Sequence, residues 1–194
     1  MKTKINELVI LAGGLGSRIV EKTKTIPKPM IKIGKQPIIW HIMKYYSEFG
    51  INNFIICLGY KGGIIKNKLT CEKNWNVKFV DTGLHTMTGG RLKKVEKYIK
   101  SENFCFTYGD GLSNINIKKE INFHLKHNKL VTIAAVKPPG RFGSLKINKK
   151  NIVQKFIEKP LGDNSWINGG FFIVNKKAIS IIKDSKTKWE EEPL

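Results

Sequence analysis

Three glycines, an arginine and a proline-flanked lysine stand close together near the start of this chain: Gly13, Gly14 and Gly16, then Arg18, then Pro27-Lys28-Pro29. Residues without a Cβ let backbone N–H groups turn inward onto an anion. Arg18 adds a planar, permanently charged fork that matches phosphate oxygens. The two prolines stiffen the backbone around Lys28 and so hold a second cation in place. An apolar run, Leu8-Val9-Ile10-Leu11, leads into the glycines and reads as a buried parallel strand. Strand, glycine loop, arginine and held lysine together suit the triphosphate of a nucleotide. The loop is not of the Walker A type, because Ser17-Arg18 stands where Lys-Ser/Thr is needed. Nor is it a dinucleotide fingerprint, because Ile19 occupies the position of the third glycine. Taken alone, the glycines also fit an ordinary tight turn.

Asp110 is the candidate metal ligand. It follows the apolar run Phe104-Cys105-Phe106-Thr107 and lies in Tyr108-Gly109-Asp110-Gly111. A carboxylate at the carboxyl end of a strand lies where open α/β sheets bind ligands. A hard oxygen donor there suits Mg2+ bridging phosphates, and a plain Asp-Gly turn is the alternative. The three cysteines (Cys57, Cys71, Cys105) lack metal-ligand spacing, and Cys57 and Cys105 fall in apolar runs that read as buried free thiols. His124 and His127 sit three apart on a predicted helix, where they read as exposed or half-buried side chains rather than metal ligands.

The elements that must carry these residues alternate in a βα series. Strands are predicted near residues 8–11, 54–58, 77–80, 104–107, 131–136 and 169–174. Helices are predicted near 37–49, 62–69, 90–98, 118–126 and 177–183, with Gly50 closing the first of them. A hairpin is expected where 142–147 and 152–157 flank Asn148–Asn151. The fold class is therefore α/β: a Rossmann-like, three-layer α/β/α arrangement around a mostly parallel mixed sheet, with a small β-hairpin insertion. No composition break or internal repeat divides the 194 residues, so a single domain over 1–194 is expected.

A formal net charge of +20 invites a nucleic-acid reading. The positive charge is nearly all lysine spread along the chain, with Arg18, Arg91 and Arg141 the arginines, so specific nucleic-acid binding is not expected. A basic field of this kind can still draw in anionic nucleotides and sugar phosphates. No apolar run approaches the ~20 residues that span a bilayer, and the first residues lack a signal-peptide pattern. Neither a membrane partner nor export is expected, and the location is read as cytoplasmic.

The motifs GGxGxR and PKP after a strand resemble those of the sugar-1-phosphate nucleotidyltransferases. Further segments in that family's order point to its cytidylyltransferase branch: GYKG, VDTGLHTMTGGRLKKV, FTYGDG, PPGRFG, EKPLGDNSWINGGFF and WEEEPL. The resemblance implies the nucleotidyltransferase (GT-A-like) fold and transfer of a cytidylyl group from CTP to glucose 1-phosphate. CDP-glucose and pyrophosphate would be the products, with Mg2+ as cofactor. It further implies a homo-oligomer and a place in dideoxyhexose and surface-polysaccharide (O-antigen, lipopolysaccharide) synthesis. Related uridylyl or thymidylyl transfer, or a nucleotide-binding module impaired in turnover, are the alternatives.

By the same resemblance, the backbone of Leu11, Ala12, Gly13, Gly14 and Leu15 wraps the nucleotide, while Gly16, Ser17 and Arg18 hold the triphosphate. Arg18, Lys28 and Asp110 are the implied catalytic set, with Asp110 on the metal. Thr86, Arg91 and Gly109 are implied in nucleotide binding, and Gly89-Gly90 in letting the chain close on the base. Thr88 could alternatively be a plain helix cap. Lys28, Glu158, Lys159, Asn168 and Gly169 are implied on the sugar-phosphate side. Two departures stand out. The stretch 66–74 bridges an interval that is longer in relatives. The chain also ends before the late aspartate that gives relatives a second metal carboxylate, so a truncated family C-terminus is expected.

Overall fold

Five residues in a row, Glu7–Leu11, are buried on both faces and form strand β1. A strand sealed on both sides needs neighbours on both edges and a layer above and below it. The computed structural model supplies these; it describes residues 5–14, 25–138, 140, 142–160, 165–191 and 193–194. After β1 come a 3-10 turn at Lys28–Met30, the short strands β2 (Lys32–Ile33) and β3 (Gln36–Pro37), and helix α1 (Ile38–Glu48). Then follow β4 (Asn53–Leu58), α2 (Gly62–Lys68), β5 (Asn76–Asp81), α3 (Thr88–Val95), β6 (Asn103–Tyr108) and α4 (Ile117–His127). The last elements are β7 (Val131–Val136), β8 (Ser144–Ile147), β9 (Val153–Ile157), β10 (Ile167–Asn175) and a 3-10 stretch at Lys176–Ile181.

The main sheet runs β5-β4-β1-β6-β10-β7. Pairing is parallel from β5 through β6, and β10 lies antiparallel to β6. The sheet is thus mixed and mostly parallel, as the alternating pattern predicts. Leu11 of β1 faces Cys57 of β4 and Tyr108 of β6 across the two ladders, so three carboxyl ends lie side by side. On one face Val9, Leu11, Cys57, Phe104 and Phe106 pack with Leu92 and Val95 of α3, Ile179 and Trp189. On the other, buried Ile39, Ile42, Met43 and Tyr46 of α1 cover the sheet, and Tyr46 sits by Cys105 and Glu120.

The predicted strands and the first four helices all appear, shifted by a residue or two. Gly50 takes a positive φ of 81° just past α1, as a helix-terminating residue does. Three expectations are corrected. The predicted helix at 177–183 is a 3-10 stretch, Lys176–Ile181. Its β-branched isoleucines favour α-helix weakly, and Ala178 and Ile179 reach the core without a full α-turn. The predicted helix at 90–98 starts earlier, at Thr88, and tightens to a 3-10 turn at Glu96–Tyr98. His124 is buried rather than exposed, with its ring nitrogens 2.8 Å from Thr132 Oγ1 and 3.1 Å from Asn103 Oδ1. Cys57 and Cys105 are buried free thiols, as read.

Two compact units account for the chain: Met1–Thr132 with Phe171–Leu194, and Ile133–Gly170. The second contains the expected hairpin, in which Ser144 pairs with Ile157 and Leu145 with Phe156. Asn148 shapes its turn by accepting the N–H groups of Lys150 and Ile152 on Oδ1.

Candidate active site

The carboxyl ends of β1 and β6 open into a cavity of about 360 Å³. Leu11, Ala12 and Gly14 form its floor, and Lys28 with Pro29 and Tyr108-Gly109-Asp110 form one wall. The opposite wall is the loop Leu84–Thr88 with Arg91. Gly109 N–H donates to Leu11 O at 2.8 Å and ties the end of β6 to the glycine turn.

Lys28 is carried into the cavity by Pro27, which has a φ of −69°, and by the 3-10 turn with Pro29 at its second position. Its ammonium forms an ion pair with Asp110, and both side chains are about one-third exposed or less at the pocket wall. Cation and carboxylate from chain positions far apart thus meet where a polyanion would enter. Asp110 offers hard oxygens for a divalent cation, and no cluster of three His, Cys, Asp or Glu lies around it among the described residues. A cation there would draw its remaining ligands from phosphate oxygens and water. That donor set suits Mg2+, which keeps several waters and takes one or two carboxylates.

Arg91 is 4% exposed, and both terminal nitrogens of its guanidinium donate to protein oxygens. Nη1 donates to Leu58 O (2.9 Å) and Thr82 Oγ1 (2.6 Å); Nη2 donates to Gly13 O (3.0 Å) and Leu84 O (3.2 Å). Burial pulls its pKa below the ordinary value, partly offset by the fields of Cys57 and Asp81. The same burial pushes the Cys57 thiol up to about 12. Gly13 must be glycine here: a Cβ would lie 2.2 Å from Arg91 Nη1 and 2.8 Å from the Gly59 backbone nitrogen. Thr86 is buried in the same wall; its hydroxyl donates to Thr82 O at 2.6 Å and receives Lys94 Nζ at 3.0 Å. Both residues thus line the cavity with their polar atoms engaged by the protein.

Thr88 does not cap α3, since the N-cap position is Met87 and no side chain caps it. Gly89 and Gly90 are packed against the segment 185–189. A Cβ on Gly89 would lie 2.8 Å from Thr187 O, and one on Gly90 2.6 Å from Ser185 Cα, so both make room for the segment 185–189. Backbone bonds hold that segment in place, from Met87 N–H to Ser185 O (2.9 Å) and from Gly90 N–H to Thr187 O (3.2 Å).

Of the sequence-predicted residues, the structure brings together Leu11, Ala12, Gly14, Lys28, Thr86, Arg91, Gly109 and Asp110 around this cavity, with Gly13 at its edge. Leu15, Gly16, Ser17 and Arg18 lie outside the described residues. Glu158, Lys159, Asn168 and Gly169 belong to the second unit. There Lys159 lies 3.8 Å from Glu158 with both side chains exposed, and Asn168 Oδ1 accepts the Gly170 N–H at 2.7 Å. Sequence reasoning missed His85, Met87 and Tyr108 in the lining. All three flank named motif residues, and only the fold shows that they border the cavity.

A family model described as nucleotidyl transferase matches residues 7–194. The glucose-1-phosphate cytidylyltransferase of Salmonella typhimurium is 49% identical over 210 residues, covering 96% of this chain and 81% of that relative. The probable glucose-1-phosphate cytidylyltransferase of Bacillus subtilis is 39% identical over 209 residues, covering 96% and 82%. Among solved structures, HddC from Yersinia pseudotuberculosis superposes with a TM-score of 0.73 at 32% identity, covering 97% of this chain and 84% of that one. The same protein has also been solved with GMP-PN.

Proposed function

This chain belongs to the nucleotidyl transferase family, and we propose that it transfers a cytidylyl group from CTP to α-D-glucose 1-phosphate, forming CDP-glucose and pyrophosphate. A phosphate oxygen of the sugar phosphate attacks the α-phosphorus of CTP, and the bond to pyrophosphate breaks. Phosphate is already a nucleophile, so the protein's task is to align two polyanions and to place positive charge where negative charge gathers. The meeting of Lys28 and Asp110 at the mouth of a glycine-floored cavity is the observation that carries this reading.

In it, the backbone from Leu11 to Leu15 lies along the nucleotide, and Gly16, Ser17 and Arg18 hold the triphosphate. Lys28 leaves Asp110 to contact the phosphates at the reacting centre. Asp110, once freed, would hold the divalent ion, read as Mg2+, which when bound supplies charge neutralisation at phosphate oxygens. Thr86, Arg91 and Gly109 shape the nucleotide side. Glu158, Lys159, Asn168 and Gly169 are assigned to the sugar phosphate. The product would serve dideoxyhexose and surface-polysaccharide synthesis in the cytoplasm, the working form would be a homo-oligomer, and 1–194 would act as one nucleotidyltransferase domain. No helix among the described residues is long and apolar enough to cross a membrane.

The test is pyrophosphate release with glucose 1-phosphate, Mg2+ and each of CTP, UTP and dTTP in turn. CTP should give a kcat/KM at least about tenfold above the others, which corresponds to one well-placed hydrogen bond to the base. Equal rates with all three would overturn the base assignment, and no release with any would overturn the transfer itself.

A further inference from the structure

The two walls of the cavity are joined by one carboxylate, Glu190, to which the reaction as described assigns no part. Glu190 Oε2 accepts the Thr88 hydroxyl at 2.6 Å, and Glu190 Oε1 accepts the Tyr108 hydroxyl at 2.5 Å. Thr88 belongs to the wall that carries Thr86 and Arg91; Tyr108 immediately precedes Gly109-Asp110 on the other. We infer that Glu190 is a positioning residue for the nucleotide site: it sets the separation of the two walls between which the base and ribose must fit. The inference rests on the nucleotidyl-transfer reading above.

The segment bearing Glu190 is anchored firmly enough to act as a ruler. Trp189 is fully buried, with its ring edge-on to Phe106 at 5.5 Å and to Phe172 at 6.1 Å. Its backbone N–H donates to Thr88 Oγ1 at 2.8 Å, so the strap grips that hydroxyl from two sides. Tyr108 is itself braced edge-on against Phe106 and Phe172. Hydroxyl donors at fixed positions on two rigid elements, both satisfied by one carboxylate, define a distance. Without the acceptor, the shared carboxylate that links the Thr88 and Tyr108 hydroxyls is lost, and the opening widens or skews. Lys28 and Asp110 do not touch Glu190, so the reacting centre itself is left intact.

Glu190→Ala, Glu190→Gln and Tyr108→Phe test this, each alone and Glu190→Ala combined with Tyr108→Phe. Charge-assisted hydrogen bonds of this kind lead to an expected rise of about tenfold in the KM for CTP in Glu190→Ala, with kcat within about threefold of the parent. Glu190→Gln keeps the reach and one acceptor, so its KM should fall between the two. Tyr108→Phe should add little once Glu190 is already gone, because both changes remove the same link. A CTP KM unchanged in Glu190→Ala, or multiplicative effects in the double variant, would overturn the inference. A purely structural role would lower thermal stability and leave the KM of the folded enzyme alone, which also counts against it. CTP binding by titration calorimetry repeats the comparison without turnover. Weakened binding in Glu190→Ala supports the positioning role even if the parent enzyme released no pyrophosphate, a result that would sink the reaction assignment alone.

Discussion

Arg91 carries a charge into the wall of the cavity and spends its guanidinium on four oxygens of neutral groups, three of them backbone carbonyls. Those oxygens come from the glycine turn, the end of β4 and the two ends of the 82–84 loop, so one side chain pins three segments that all shape the site. A lysine keeps the charge but cannot present two pairs of donors in a fixed plane. Arg91→Lys should therefore cost about 2–3 kcal/mol of stability, since at least two buried acceptors lose their donors. It should also lower kcat/KM by about tenfold or more through movement of the Gly13 turn. Urea denaturation and steady-state kinetics check this, and a variant matching the parent in both would show that the turn holds without it. At this scale the sequence was informative about which residues gather and less so about what each does. Gly13, Lys28 and Asp110 are legible because glycine, a proline clamp and a strand-end carboxylate each have few other uses. The engagement of Arg91 and Thr86 with protein oxygens depends on which carbonyls lie beside them, and spacing along the chain does not encode that.

Helix α4 presents an unusual face to the interior: Ile117, Glu120 and His124 are its buried positions, while Phe123 stands 62% exposed. A reading by hydrophobic pattern prefers Phe123 inside and leaves the histidine out, whereas packing buries His124 against Thr132 and Asn103. The strand order depends on the same kind of non-local choice. The parallel βα units follow from alternating runs, whereas the antiparallel placement of β10 beside β6 is decided by packing. Glu120 is buried with neither carboxyl oxygen hydrogen-bonded, and burial pushes its pKa from 4.5 to about 7. The folded chain thus holds this proton more tightly than the unfolded chain. Its contribution is complete below about pH 4.5, falls as pH rises, and is gone above about pH 7, a swing of about 3 kcal/mol. His124, whose pKa is lowered by burial and by His127, acts in the opposite sense, so the difference between two proteins isolates the glutamate. Glu120→Gln should match the parent near pH 5 and exceed it in stability at pH 8, read from urea midpoints. Parallel curves across that range would contradict the buried, proton-holding carboxyl.

At the scale of the whole molecule, the candidate-site residues of the larger unit gather at one end of one sheet, while Glu158, Lys159, Asn168 and Gly169 belong to the second unit. Parallel register sets the ends of β1, β4 and β6 level, and the glycine turn, Gly59 and Gly109-Asp110 follow from those ends. The strap at 185–190, from late in the chain, packs on Gly89 and Gly90 and bonds to Thr88 of the cavity wall. The lysine-rich surface, with a net charge of +20, adds a long-range field that favours the approach of two anionic substrates. Fold class and location of the site could be argued from sequence because strand, loop and helix signals recur at regular spacing. The strap's role was hidden, since Trp189 and Glu190 gain meaning only through Phe106, Thr88 and Tyr108, residues some 80 to 100 positions away. The most direct test of the account is the identity of the products, followed by 31P NMR with CTP, glucose 1-phosphate and Mg2+. Equimolar growth of CDP-glucose and pyrophosphate signals, both dependent on the sugar phosphate, is the predicted result. Loss of CTP to CDP and phosphate, or no change while CTP is bound, would contradict it.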